Sequence, residues 1–173
     1  MKKFIALIIA AFMMVSSFAV CEPIDPVSPY DRITMDMTDA DVVALLGEGQ
    51  EADAYLLFAE SVLCAFYESG RLHAKAIAFG DIRDIAPFAN IPMDKLKKLK
   101  QGALLEDVIA MIGSEGLEIM ALNIADEENA GQRRVLAWQD ADGEAVQMLF
   151  ELDDGGWKLF AAVEIPAATA AGM

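Results

Sequence analysis

Asp41-Val42-Val43-Ala44-Leu45-Leu46-Gly47 returns sixty-six residues later as Asp107-Val108-Ile109-Ala110-Met111-Ile112-Gly113. Four of the seven positions are identical, and the other three exchange one aliphatic side chain for another. Each copy runs on into an acidic, glycine-containing turn and then into strand-like sequence. The recurring unit is therefore longer than the match, and it reads as a duplicated α+β module.

Outward from the first copy, Thr38 is placed to cap a helix, with Asp39 and Asp41 in the first turn, where free backbone N–H groups favour carboxylates. Val42, Leu45 and Leu46 fall at i, i+3 and i+4 and form one apolar stripe; Gly47 stops the helix. Strand-like runs follow at 52–59, 62–68 and 71–79, the last after a turn at Ser69-Gly70. The second copy opens with a short helix over 93–100. Val108, Met111 and Ile112 then form the repeated stripe, and Gly113 the stop. Ala103-Leu104 stands where the first copy has Met37-Thr38, so the second cap is lost. Four more strand-like runs lie near 117–125, 133–139, 145–152 and 157–163, with turns at Asp142-Gly143 and Gly155-Gly156. The expected fold class is α+β, with two tandem modules, each a short helical segment packed on an antiparallel sheet of three to four strands. The expected organisation is a signal peptide (1–20), a proline-containing extended tether (21–32), a contracted first repeat (33–80), a connector (81–91), a second repeat (92–165) and a disordered tail (166–173).

The signal peptide is read from Lys2-Lys3, the apolar run 4–15 and the small residues that follow; it is too short and wrongly flanked for a membrane span. The expected location is outside the cytoplasm: secreted, periplasmic or lipid-anchored to the cell envelope. Cleavage after Ala19 satisfies the small-residue rule. Phe18-Ala19-Val20-Cys21 also resembles a bacterial lipobox, with Cys21 as the lipid acceptor and the only membrane attachment. Without the two leader lysines, 11 basic side chains face 28 acidic ones, a formal charge of −17. Such a chain repels phosphate backbones, which excludes nucleic acid as an expected partner. Cys21 and Cys64 are the only cysteines, so no disulfide framework or thiolate metal site can be built.

Tandem helix, glycine stop, antiparallel strands and glycine-marked hairpin behind a signal peptide resemble the β-lactamase-inhibitor protein (BLIP) family. That module is shared with outer-membrane assembly lipoproteins of the SmpA/OmlA (BamE) type. The likeness is carried by Met37-Thr38, Asp41-Val42 and Leu45-Leu46-Gly47 in the first copy. In the second it is carried by Lys95-Leu96 through Gly102, Asp107-Val108, Ile112-Gly113, Ala137-Trp138 and the stretch from Phe150 to Leu159. It implies two modules forming one curved sheet that grips a partner enzyme. The inhibitor family also carries a disulfide in each module, and this chain departs from it there.

Strand alternation assigns the faces. Val146, Met148, Phe150 and Leu152, with Trp157, Leu159, Ala161 and Val163, are expected against the helices, each large side chain contributing about 1.5–3 kcal/mol. In the first copy Val62, Cys64, Phe66, Leu72, Ala74 and Ala76 are expected to be buried. The open face then carries Tyr67, Arg71, His73, Lys75, Arg134, Trp138, Lys158 and Phe160. Aromatic rings among basic groups have the composition of a protein interface, and these eight are the candidate partner-binding residues.

Catalytic chemistry is thinly represented. His73 is the only histidine, flanked by Arg71 and Lys75, and reads as a contact residue. Asp140-Ala141-Asp142-Gly143 imitates a calcium loop, but the glycine required at position six is Ala145. The acidic runs at 126–128 and 153–154 read as solvated turns, and no phosphate-cradling loop is present. The expectation is a non-enzymatic protein without cofactor or metal, holding another protein such as a β-lactamase or an envelope component. The alternative is a lipid-anchored envelope lipoprotein with an assembly or scaffolding role.

Overall fold

Alternating apolar residues separated by glycine turns produce strands, and in the computed structural model these join into one sheet. Residues 27–52, 55–78, 81–86, 88–89, 96, 98–124 and 131–166 are described. The strands are β1 (Gln50–Ala52), β2 (Tyr55–Phe58), β3 (Val62–Phe66), β4 (Leu72–Ile77), β5 (Leu117–Ile124), β6 (Gly131–Gln139), β7 (Ala145–Asp153) and β8 (Gly156–Ile165). They lie side by side in chain order, every neighbour antiparallel, as an eight-stranded meander. The expected pair of separate three- to four-stranded modules is therefore corrected. Ala74 pairs with Leu122, Lys75 with Ala121 and Ala76 with Met120, which welds β4 to β5 across the two copies. Backbone pairing satisfies edges that two small sheets would leave open.

Cross-strand partners show the continuity. One row takes a residue from every strand: Glu51, Leu56, Cys64, Lys75, Ala121, Arg134, Phe150 and Leu159. The adjacent row, on the opposite face, is Gln50, Leu57, Leu63, Ala76, Met120, Val135, Leu149 and Ala161. Directly opposed residues share a face, so these rows define the two sides.

Three α-helices are described. Val27–Asp31 forms α1, where an extended tether was expected. Pro29 is tolerated because it lies in the first turn, where backbone N–H groups have no helical acceptor. The α2 helix (Asp39–Leu46) carries the expected capping box: Thr38 accepts from the Asp41 backbone, and the Asp41 side chain accepts from that of Thr38. The α3 helix (Leu105–Ile112) starts at Leu104 with no side-chain cap and ends on Gly113 in the left-handed conformation. Leu105, Val108 and Ile112 pack on Leu136, Trp138, Val146, Met148, Phe150 and Leu159, all on the first face. Half of the helix expected over 93–100 (93–95 and 97) lies outside the described residues, as do the signal peptide, Cys21 and nearly all of the tail.

The repeat persists as a local likeness inside the single sheet. Thr38, just before α2, bridges Arg71; Leu104, just before α3, bridges Lys158. Leu72 donates to Met37 O at 2.9 Å, and Leu159 donates to Ala103 O at 2.8 Å. Each helix is thus pinned to the strand that leaves a glycine-marked hairpin.

Candidate functional site

The eight candidate contact residues do not form one face. Trp138 is 0% exposed beneath α3, and its indole donates to Ser114 O at 3.1 Å. The tight turn after Gly143 places Trp138 opposite Val146, and so on the helix-covered side. Lys75 is 7% exposed and stands opposite Cys64. The expected exposure of both is corrected, and the cause in the first copy is a β-bulge. Phe66 pairs with Leu72 and Ala65 with Ala74, so His73 is an extra residue and the alternation changes sense there.

The remaining residues fall into three groups. The first is a buried charge cluster under α1. Lys75 Nζ donates to Tyr30 O at 3.2 Å and Ile33 O at 2.8 Å, and lies 3.8 Å from the Tyr30 ring centroid. Tyr30 Oη donates to Glu118 Oε1 at 3.0 Å, with Lys75 Nζ 3.8 Å from the same oxygen. Arg134 reaches Glu118 Oε2 at 3.9 Å and covers the Trp157 ring at 4.2 Å. Burial pushes the Lys75 ammonium below the ordinary lysine range, with Glu118 opposing, and drives the Tyr30 hydroxyl well up. Burial also pushes the Cys64 thiol up to about 12, so it is protonated and unreactive near neutrality. This cluster holds α1 to the sheet, because a lysine on the last carbonyls of a helix satisfies both their lone pairs and the helix dipole.

The second group sits at the β3–β4 hairpin. Tyr67 Oη and His73 Nδ1 both donate to Asn123 O, the latter at 2.7 Å, and their ring centroids are 4.6 Å apart. Asn123 Nδ2 in turn donates to Met35 O at 2.8 Å and Leu72 O at 3.4 Å. A cleft of about 630 Å³ opens beside them, lined by Met35, Tyr67, Glu68, Ser69, Arg71, Leu72 and Asn123. Sequence reading found Tyr67, Arg71 and His73 but missed Asn123, whose signal was a lone amide in the mostly apolar strand Leu117–Ile124.

The third group lies on the second face at the β6–β8 side. Arg133 pairs with Glu151 at 2.8 Å and lies 5.3 Å from the Phe160 ring centroid; Lys158 pairs with Asp153 at 2.7 Å. The middle of this face is closed, with Leu63, Ala76, Met120, Val135 and Leu149 all buried. Exposure returns at β8, where residues 161–164 are all exposed and Val163 reaches 59%, which corrects the expected burial of Ala161 and Val163. A bulge opposite Leu149 and Phe150 puts them on the other side from Leu159. Outside the ladder to β7, Leu159 is bonded to 102–103; among the described residues no hydrogen bond reaches the outer edge between it and Pro166. The Asp140 carboxylate accepts from the backbones of Asp142 and Glu144, closing its own turn. No group of three or more metal-ligating side chains occurs among the described residues. No protein-family model matches the chain, and no curated protein matches it.

Proposed function

We propose that the chain is an exported, non-enzymatic domain that holds another protein along the rim of its sheet. The observation that carries this reading is β8: an outermost strand whose edge beyond Leu159 takes no hydrogen bond from the described residues before Pro166, with four consecutive exposed residues, 161–164. An open strand edge offers backbone donors and acceptors to an incoming chain, and Phe160, Val163 and Lys158 supply apolar and charged contacts beside it. The likeness to the β-lactamase-inhibitor family supports a specific version, steric blockade of a β-lactamase or related wall-active enzyme. Purified exported protein added in micromolar excess to a class A β-lactamase is expected to slow hydrolysis, and a Val163→Asp variant to slow it less. Unchanged hydrolysis would remove the inhibitor version.

A second reading, a lipid-anchored envelope scaffold, is favoured by Phe18-Ala19-Val20-Cys21. Intact mass of the exported form decides it. Acylation at Cys21 supports the anchor, whereas a free N-terminus at Val20 rules it out.

A further inference from the structure

The hairpin cleft carries two opposite charges that the fold does not use. Glu68 and Arg71 line it, both exposed, and neither takes part in the five ion pairs of the described residues. Asp36 lies close enough for its carboxyl to feel the Arg71 charge, but Thr34 holds that carboxylate by a hydrogen bond at 2.5 Å. Arg71 therefore carries no ion pair among the described residues, although a chain of net charge −15 offers acids in abundance.

The cleft is also built in advance. Asn123 ties the end of β5 to Met35 O and Leu72 O through its side chain, while its own carbonyl receives Tyr67 and His73. Three chain segments are therefore locked before anything binds, which lowers the ordering cost of association. Leu72 is the only buried lining residue, and the others are half-buried or exposed. Small-molecule pockets of this volume enclose most of their ligand. A cleft open on this scale covers one side of its occupant, which must be held from elsewhere, as a loop is held by its own protein.

We propose that the cleft receives a protein loop presenting a carboxylate side chain beside an apolar one. Arg71 takes the carboxylate, the half-buried Met35 and Tyr67 take the apolar group, and Glu68 accepts a backbone N–H. This deepens the protein-binding reading and rests on it, naming the partner's chemistry at the β3–β4 hairpin.

The test is amide chemical-shift titration of the ¹⁵N-labelled exported chain with two blocked peptides, Gly-Leu-Glu-Gly and Gly-Leu-Gln-Gly. The glutamate peptide is expected to move the amides of Tyr67, Ser69, Arg71 and Asn123 saturably, and the glutamine peptide to bind roughly tenfold more weakly. Arg71→Gln should abolish the preference while leaving the rest of the spectrum unchanged. Equal response to both peptides, or no saturable shift at these amides, overturns the proposal. N-acetylglutamate binding as tightly as the peptide also overturns it, in favour of a small-anion site. A glutamate-selective cleft together with unchanged β-lactamase hydrolysis would sink the inhibitor version and leave this proposal standing.

Discussion

Thr38 and Leu104 occupy equivalent places, yet only Thr38 caps its helix, because Leu104 has no side-chain oxygen to accept a backbone N–H. Thr38→Val should lower stability by about 1 kcal/mol at neutral pH. The cap also has a pH signature. Donation from Thr38, by its backbone N–H and then its hydroxyl, holds the Asp41 carboxyl below the ordinary aspartate range. Because the folded pKa is the lower one, this stabilisation is present above the unfolded value, about pH 4, and is lost as pH falls through the folded value. Urea midpoints of the two proteins should therefore differ at pH 7 and draw closer as the pH falls through the folded value of Asp41. The β2–β3 turn offers a second residue-scale test. Ala59 and Glu60 both have positive φ, 47° and 57°, without being glycine. Glu60→Gly should raise the thermal midpoint, the left-handed conformation costing other residues about 1–2 kcal/mol. At this scale the caps, stops and turns were legible because each depends on its immediate neighbours. The faces of Lys75 and Trp138 were not. A one-residue bulge at His73 sets the side of Lys75, and pairing with Val146 sets that of Trp138; nothing local in the sequence marks either.

Among the elements, strand positions could be read from alternation and glycine turns, whereas α1 could not. Pro23, Pro26 and Pro29 suggest extended chain, and α1 exists because Tyr30 buries against Lys75 and Glu118, partners forty-five and eighty-eight residues away. Tertiary contacts override local preference there. The α3 helix permits a constructive test. Leu104 already has extended cap geometry, φ −68° and ψ 143°, and Asp107 stands three residues on, as Asp41 does from Thr38. Leu104 is only half-buried and lies outside the core packed under α3. Leu104→Thr should recreate the capping box and raise stability by about 1 kcal/mol, seen as a rise of about 2–4 °C in the melting midpoint.

At the scale of the whole molecule, the duplicated sequence suggests two bodies, and the pairing of β4 with β5 makes them one sheet. That junction joins strands separated by thirty-nine residues of chain, 78–116, so its register could not be read from either copy alone. A single sheet should unfold as one unit. Cys64, buried in the first copy, and Trp138, buried in the second, report on the two halves. Thiol labelling and tryptophan fluorescence are expected to give coincident urea midpoints. Nuclear Overhauser effects across β4 and β5 examine the junction itself most directly. The continuous sheet requires backbone cross-peaks linking Ala74 with Leu122, Lys75 with Ala121 and Ala76 with Met120. Cross-peaks complete within 50–77 and within 117–165, with none between those stretches, would contradict it.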